Sequence, residues 1–277
     1  MLNNPIGLFV KPDEQLQSFL QIMSENNIST AHLLCPPEPE RTPETAQKLQ
    51  TLFQNAGISV TALYCGFDGE SYASIPLVET TVGLAPAATH DSRLRECLQI
   101  ADFASDLGIP AVALHVGFIP EDRKNETHTR LINSLRELCD HCHPKNMYVF
   151  LETGQEKAKT LLDFLGEVDR VNLAVNFDPA NMVLYGTGEP VSALRLLGNY
   201  VKGVHIKDAK WSDQPGVEWG TEVVPGTGDV KMDLIIRTLL ELDFTAPLTI
   251  EREITGDKRP DILQTLDFIE KCRQEFA

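Results

Sequence analysis

The chain alternates along its whole length between short apolar stretches and longer amphipathic ones. The apolar stretches, such as 111–116 and 171–177, are rich in β-branched residues, which is typical of parallel strands covered by helices. The amphipathic stretches, such as 126–142, repeat their apolar residues with a helical period. Eight strand–helix units follow one another in this way. The pattern therefore predicts an α/β fold, a single-domain (β/α)8 TIM barrel that spans residues 1–277.

An open, doubly wound sheet is the alternative fold for such an alternation. It has less support, because no G-x-G-x-x-G motif opens a helix after the first strand. The glycine-bearing segments Tyr185–Gly188 and Pro225–Gly228 follow later strands and lack the Lys-Ser/Thr of a phosphate-binding loop, so both indicate turns. Two stretches without a clear period, 66–89 and 209–230, are predicted to be long loops.

The composition argues against several classes of function. The net charge of -16 would repel a phosphate backbone, so we expect no nucleic-acid partner. We also expect no signal peptide and no membrane partner, because the sequence has neither a basic, apolar leader nor an apolar run long enough for a span. The C-x-x-C of Cys139 and Cys142 has no second pair to complete a zinc site, and a reducing cytoplasm is the expected location.

Polar side chains stand where several of the predicted strands end. In a barrel of this kind the carboxyl ends of the strands converge on one face, and active sites form there. Successive candidates from the fifth strand onward are separated by about one strand–helix unit, except where the loop at 209–230 adds length. His115 stands at the end of the fourth strand. The four residues expected on the next four strands, at one level of the barrel mouth, are Glu152, Asp178, His205 and Glu251.

Four of these residues make a plausible metal site. Taken alone, His205 in its apolar strand would be interpreted as a core residue. Together with Glu152, Asp178 and Glu251 it forms a set of three carboxylates and one imidazole, which suits Mn²⁺, Mg²⁺ or Co²⁺ and also allows Zn²⁺. Without a cation, three carboxylates in one barrel mouth would repel one another. We therefore expect one divalent metal ion as cofactor.

Several segments resemble the xylose-isomerase-like barrel superfamily of sugar phosphate isomerases and epimerases, and the resemblance covers nearly the whole chain. Pro225–Val230 also resembles a glycine-containing stretch that those proteins carry before the last helix. The segments that carry the resemblance are Ala113–Gly117, Phe150–Glu152, Asn176–Asn181, Val204–Asp208 and Thr249–Glu253.

The resemblance implies an enzyme. It implies that Glu152, Asp178, His205 and Glu251 ligate one divalent ion and that the two glutamates act as acid and base. The expected function is a metal-dependent sugar or sugar-phosphate isomerase or epimerase that transfers a proton through an enediolate. Loss of a hydroxyl from the same intermediate would give a dehydratase acting on an inosose, a keto-cyclitol. The expected partners are a small sugar, sugar phosphate or cyclitol, and members of the family often form homo-oligomers.

Some positions depart from the epimerase pattern. Asn181 stands where those epimerases often have a histidine, and Trp211 stands where they often have an arginine. The His-Ile-Lys-Asp run containing Lys207 looks more like that of inosose dehydratases. Together with His115, these three residues are the expected substrate-binding side chains.

Each of these residues also has a purely structural interpretation. His115 could pack in the core, and Lys207 could pair with Asp208 or Glu253. Arg252 follows Glu251 and should point to the opposite side of the strand, which favours a structural ion pair. The two predicted loops contain few basic residues apart from Lys210, which favours a substrate without phosphate.

Two other function classes remain open. A nuclease like endonuclease IV shares this barrel, but it needs more histidine ligands than the chain offers, and Asn181 stands at one of the expected positions. A non-catalytic sugar-binding barrel is the other possibility, and the presence of both Glu152 and Glu251 argues against it.

Overall fold

Eight parallel strands close into a barrel in the computed structural model of the chain, which describes residues 3–276. Helices connect successive strands and cover the outside, so the sequence-based prediction of a single-domain (β/α)8 TIM barrel is confirmed. The predicted domain of residues 1–277 extends beyond the described residues at Met1, Leu2 and Ala277. Within the described part of the chain, no helix is long and apolar enough to cross a membrane.

The eight barrel strands lie within two residues of the bounds that the apolar stretches indicate. Strands β1 to β7 and β10 form the barrel, and β8 and β9 form a small antiparallel hairpin at its mouth. The strands are β1 (Ile6–Val10), β2 (Thr30–Leu34), β3 (Ser59–Tyr64), β4 (Ala111–Leu114), β5 (Tyr148–Glu152), β6 (Leu173–Phe177), β7 (Val201–Ile206), β8 (Asp208–Lys210), β9 (Thr221–Val223) and β10 (Leu248–Ile250).

The long amphipathic stretches form the helices of the outer layer. Their starts follow ordinary capping rules: Thr42, for example, accepts a hydrogen bond from the backbone N–H of Thr45, and Pro43 is the first helical residue. The helices are α1 (Leu16–Glu25), α2 (Pro43–Asn55), α3 (Ile75–Thr81), α4 (His90–Asp106), α5 (Glu126–Cys142), α6 (Ala158–Val168), α7 (Pro179–Tyr185), α8 (Pro190–Leu197), α9 (Met232–Glu241) and α10 (Arg259–Glu275).

The structure differs from the sequence-based prediction in the connecting segments. The stretch 66–89 contains helix α3, capped by Ser74, and the stretch 209–230 contains most of the β8–β9 hairpin. Helix α7 begins directly after Asp178. These elements are too short to show a period in sequence, and local caps and contacts fix them instead. Helix α1 begins later than predicted, because Asp13 bonds the backbone N–H of Gln15 rather than a helical turn.

Small side chains fill the narrow interior of the barrel. Ala62, Ala113 and Ala174 point inward together with the larger rings of Tyr64 and Phe150. The opposite faces of the strands carry leucine, valine and isoleucine, which pack under the helices in the main hydrophobic core. The interior is therefore a packed core, and the polar residues collect at the carboxyl ends of the strands.

Candidate metal centre

Four acidic or imidazole side chains meet at the ends of four neighbouring barrel strands. Glu152 is the last residue of β5, Asp178 follows β6, His205 lies near the end of β7, and Glu251 follows β10. All four side chains are buried. Each has one nitrogen or oxygen atom that could bind a metal, and these four atoms lie within 4.8 Å of one another. The structure thus brings together the four residues that the sequence indicates as ligands, and this cluster could hold a metal ion.

The unsatisfied atoms of the cluster fit a cation. Asp178 uses Oδ1 to cap helix α7, accepting hydrogen bonds from the backbone N–H groups of Ala180 (2.8 Å) and Asn181 (3.1 Å). Among the described residues its other oxygen, Oδ2, has no hydrogen-bond partner; it lies 3.4 Å from Nζ of Lys207 and 3.7 Å from Nδ1 of His205. Burial raises the pKa of Asp178, although the charge of Lys207 lowers it. A buried carboxylate oxygen without a hydrogen bond is costly, and a divalent ion would add to the positive charge of Lys207.

The imidazole of His205 faces this cluster through Nδ1. That atom lies 2.7 Å from Oε1 of Glu152 and 3.2 Å from Oε2 of Glu251, but it has no hydrogen bond of good geometry. Burial lowers the pKa of His205, but the charges of Glu251 and Glu152 outweigh it and raise that pKa well above the ordinary value, so a divalent ion at this place would replace a proton on Nδ1. The donor set is therefore consistent with a divalent ion bound by one nitrogen and several oxygens.

A second histidine holds the ring of His205 in place. Nε2 of His205 lies 3.0 Å from Nδ1 of His32 and 3.2 Å from the hydroxyl of Tyr64. Burial lowers the pKa of His32 to about 3, so this ring is neutral and its Nδ1 can accept a hydrogen bond. We therefore assign the proton of His205 to Nε2, which leaves Nδ1 free to bind a metal.

His32 and Tyr64 were not identified from the sequence. His32 lies in the apolar strand β2 just as His205 lies in β7, so in sequence both are histidines within an apolar strand. What the sequence could not show is that the two rings meet across the barrel.

The free oxygen of Glu152 is held by His115. Nε2 of His115 lies 3.0 Å from Oε2 of Glu152, and its Nδ1 lies 3.1 Å from the amide nitrogen of Gln155. Burial lowers the pKa of His115, but the charge of Glu152 outweighs it and raises the pKa to about 9. His115 thus donates a hydrogen bond to a carboxylate of the cluster.

Lys207 is buried beside Glu251. Its Nζ lies 2.9 Å from Oε2 of Glu251 and 3.3 Å from Oδ1 of Asn181, and it also contacts Glu253. Burial lowers the pKa of Lys207, but the surrounding carboxylates outweigh burial and raise it well above the ordinary value. The lysine is therefore an ammonium group directly beside the cluster. The ion pair with Glu253 that the sequence suggested is present.

Asp208, the other suggested partner of Lys207, has a different role. Its carboxylate accepts hydrogen bonds from four backbone N–H groups and so fixes the turn between the hairpin and α9; the donors are Ala209, Gly226, Gly228 and Val230. Arg252 pairs with Glu222 and Asp261, as expected of a structural ion pair, and so anchors the hairpin to the end of β10.

A cavity of about 510 Å³ opens over the cluster. Glu152, Glu251 and His115 line it, together with Tyr64 and Tyr72 from the neighbouring strand and loop. Its volume is suitable for a small molecule. Asn181 and Lys207 contact each other beside Glu251, but neither is among the residues that line the cavity. The side chain of Trp211 packs against the hydrophobic core of the molecule and is not among the residues that line the cavity.

Comparisons with known proteins agree with this architecture. A family model described as "Xylose isomerase-like TIM barrel" matches residues 15–272. A crystal structure of a xylose isomerase domain protein from Planctomyces limnophilus shares 42% sequence identity and a TM-score of 0.92, covering 98% of this chain and 97% of that one. A 3-dehydroshikimate dehydratase of Bacillus anthracis is 24% identical over 206 residues, 69% of this chain and 72% of the relative.

The fold is also shared with more distant enzymes of different reaction types. A structure described as a D-tagatose 3-epimerase-like protein has a TM-score of 0.74 and 18% identity, covering 99% of this chain and 100% of the other. At that identity the likeness concerns the fold alone. The proteins compared thus include a relative described as a dehydratase and a fold neighbour described as epimerase-like.

Proposed function

Because this chain belongs to the xylose isomerase-like TIM barrel family, we propose that it is a divalent-metal-dependent enzyme that moves a proton next to the carbonyl group of a small hydroxyketone. The observation that carries the proposal is the meeting of Glu152, Asp178, His205 and Glu251 at one point of the barrel mouth. These residues would hold the ion. A bound divalent ion supplies positive charge that stabilises an enediolate.

The two glutamates are the proposed acid and base. Glu152 and Glu251 come from β5 and β10, with β6 and β7 between them, so they reach the cavity from two sides. One glutamate can accept the proton next to the carbonyl, and either the same group or the opposite one can return it. Return to the neighbouring carbon gives isomerisation, and return from the opposite side gives epimerisation. His115 would orient Glu152 through the contact with Oε2.

Dehydration is a second candidate, and the position of Lys207 favours it. An ammonium group only donates hydrogen bonds, and Lys207 is buried beside Glu251 at the cluster. After proton removal, the enediolate can expel a hydroxyl group from the next carbon; that hydroxyl takes back the proton that the glutamate removed and leaves as water, while Lys207 donates a hydrogen bond to Glu251. The product is an unsaturated ketone. The relative described as a 3-dehydroshikimate dehydratase supports this candidate.

Deuterium exchange tests the proposal. Metal-loaded protein is incubated in D₂O with ketoses, inososes and their phosphorylated or carboxylated analogues, and NMR follows deuterium entering at carbon. We expect exchange that E152Q lowers by about 100-fold or more, since an acid–base group contributes that much. E121Q, a change at an exposed glutamate paired with Lys157, should exchange like wild type.

The same samples separate the two candidates. A dehydratase would form an unsaturated ketone, visible by ultraviolet absorbance, and K207M would lose that product while keeping some exchange. The proposal fails if metal-loaded wild-type protein exchanges no substrate of the panel, or if E152Q exchanges as fast as wild type.

A further inference from the structure

Two lysines line the metal-centre cavity from the side opposite His115. Lys11 directly follows β1, and Lys258 lies at the start of α10, in the connection that leaves β10. Because β1 and β10 are paired in the barrel, the two connections leave the same part of the mouth. Both lysines line the same cavity as Glu152 and Glu251. A molecule that reaches the cluster from this side would therefore pass both ammonium groups.

Several carboxylates also line this cavity, but they are already engaged. Glu70 accepts hydrogen bonds from the backbone N–H groups of Phe67 and Gly83. Glu253 contacts Lys207, and Asp13 bonds the backbone of its own turn. Glu152 and Glu251 belong to the metal cluster. These carboxylates keep their negative charge, but each already contacts a donor or belongs to the metal cluster, and none of them forms an ion pair with Lys11 or Lys258 within residues 3–276.

Lys11 and Lys258, by contrast, have no ion-pair partner within residues 3–276. Lys258 is half-buried, and its pKa is lowered by burial first and then by the charge of Lys11. Glu222, Glu251 and Glu253 raise the pKa of Lys258, but they do not outweigh these two effects. The half-buried ammonium group of Lys258 and the exposed one of Lys11 thus repel each other, and an anion between them would relieve that repulsion.

We propose that Lys11 and Lys258 form a subsite for an anionic group of the substrate. This inference rests on the proposed function and narrows it: the substrate is a hydroxyketone that carries a carboxylate or a phosphate. The carbonyl end would lie at the metal cluster and the anion at the two lysines. Carboxylates line much of this cavity, so Lys11 and Lys258, which have no ion-pair partner within residues 3–276, mark the part of it that offers positive charge to an anion.

A substrate without phosphate is the expectation from the sequence, because the stretches 66–89 and 209–230 contain few basic residues. The lysines come instead from the connections after β1 and β10, which are short in sequence but adjacent in the barrel.

Anion binding tests the subsite without requiring turnover. Magnesium-loaded protein is titrated calorimetrically with methyl phosphate, which represents a phosphate ester, and with propionate, which represents a carboxylate. We expect saturable binding of at least one probe, weakened about tenfold or more in K11M/K258M, because two charge-assisted contacts are lost. The probe that binds more tightly identifies the anion. K11R/K258R keeps both charges and should keep binding. K48M/K271M, which changes two exposed lysines outside the cavity, should bind like wild type.

Two results would overturn the inference. One is wild-type protein that binds neither probe. The other is K11M/K258M that binds a probe as tightly as wild type, because the anion would then bind elsewhere, for example at the metal. The result is separable from the proposed function. Lysine-dependent anion binding without deuterium exchange on any substrate would refute the enzyme activity and leave the subsite. Exchange that depends on Glu152 but is equally fast on neutral substrates and in K11M/K258M would refute the subsite alone.

Discussion

His32 affects the candidate site without lining the cavity. It contacts Nε2 of His205, at the edge of the ring that points away from the carboxylates, and it fixes which nitrogen of His205 carries the proton. Outer partners of this kind commonly change metal affinity by about 10–100-fold when they are removed. The role of His32 can therefore be measured through the metal.

We predict that H32F weakens binding of Mn²⁺ by about tenfold or more, because phenylalanine fills the space of the ring but accepts no hydrogen bond from His205. Calorimetric titration of metal-stripped protein measures the effect. The control is H90F, which removes another buried histidine, bonded to Ser134 and to the carbonyl of Leu84 away from the cluster; it should lower stability and leave the metal affinity unchanged. Equal Mn²⁺ affinity in H32F and wild type would refute the assignment.

Glu156 predicts a dependence of stability on pH. Its carboxyl is buried, Oε2 has no hydrogen-bond partner among the described residues, and burial raises its pKa to about 8, although the nearby His115 charge lowers it. The folded protein keeps this proton up to about pH 8, while the unfolded chain releases it near the ordinary value of 4.5. At low pH the carboxyl of Glu156 is neutral in the folded and the unfolded protein. The free energy of unfolding therefore falls as the pH rises from 4.5 to about 8.

We predict that E156Q removes the loss of stability that Glu156 causes as the pH rises. Relative to wild type, the free energy of unfolding of E156Q should increase more at pH 8 than at pH 5, as measured by urea denaturation. E121Q, which changes an exposed glutamate, should give a curve parallel to wild type. A parallel curve for E156Q as well would show that Glu156 is ionised in the folded protein throughout this range.

The residues of the site differ in how far the sequence reveals them. Glu152, Asp178, His205 and Glu251 could be predicted because each stands at the end of an apolar strand, and barrel geometry brings strand ends together. Lys258 could not, since it stands at the start of α10 and not at the end of a strand, in a connection without a period. Such contacts depend on how the chain folds back over the barrel mouth, which residue spacing does not encode.

At the scale of elements, the turn between the hairpin and α9 depends on one carboxylate and on glycine. Asp208 accepts hydrogen bonds from backbone N–H groups of this turn, including that of Gly228. A Cβ at Gly228 would lie 2.2 Å from Oδ1 of Asp208 and 2.6 Å from the carbonyl oxygen of Ala209, so the turn would have to move. Glycine at position 228 of the stretch Pro225–Val230 is thus explained by the close contact with Asp208.

We predict that G228A lowers the free energy of unfolding by about 1–3 kcal/mol, because it displaces buried hydrogen bonds to a carboxylate. Urea denaturation measures the change. G166A is the matched control: Gly166 lies in helix α6 with open space around it, so alanine there should be neutral or raise stability by about 0.5–1 kcal/mol. If G228A were as stable as G166A, the turn would not depend on this close contact.

The elements also show where sequence patterns stop being informative. Long helices such as α4 and α5 begin and end where their periodicity and flanking residues indicate. The short helices α3 and α7 and the β8–β9 hairpin were not predicted, because a seven-residue helix or a three-residue strand has no measurable period. A local cap by Asp178 holds α7, and the tertiary ion pair of Arg252 with Glu222 holds the hairpin.

At the scale of the whole molecule, the closed barrel gives the site its form. Closure places β5, β6, β7 and β10 side by side, and it brings His32 of β2 and Tyr64 of β3 to the other face of His205. The repeating strand–helix pattern was enough to predict this closure. The central claim is that the molecule uses it to hold one divalent ion between four strand ends.

Calorimetric titration of metal-stripped protein with Mn²⁺, for wild type and D178N, tests this claim most directly. Asparagine can still cap α7 but offers no charge at the Oδ2 position, so the fold should survive while a ligand is lost. We predict one ion bound per wild-type chain, and an affinity in D178N lower by more than the roughly 10–100-fold effect of an outer partner. D140N, at an exposed residue paired with Arg170, should match wild type. No binding by wild type, or equal binding by D178N, would contradict the account.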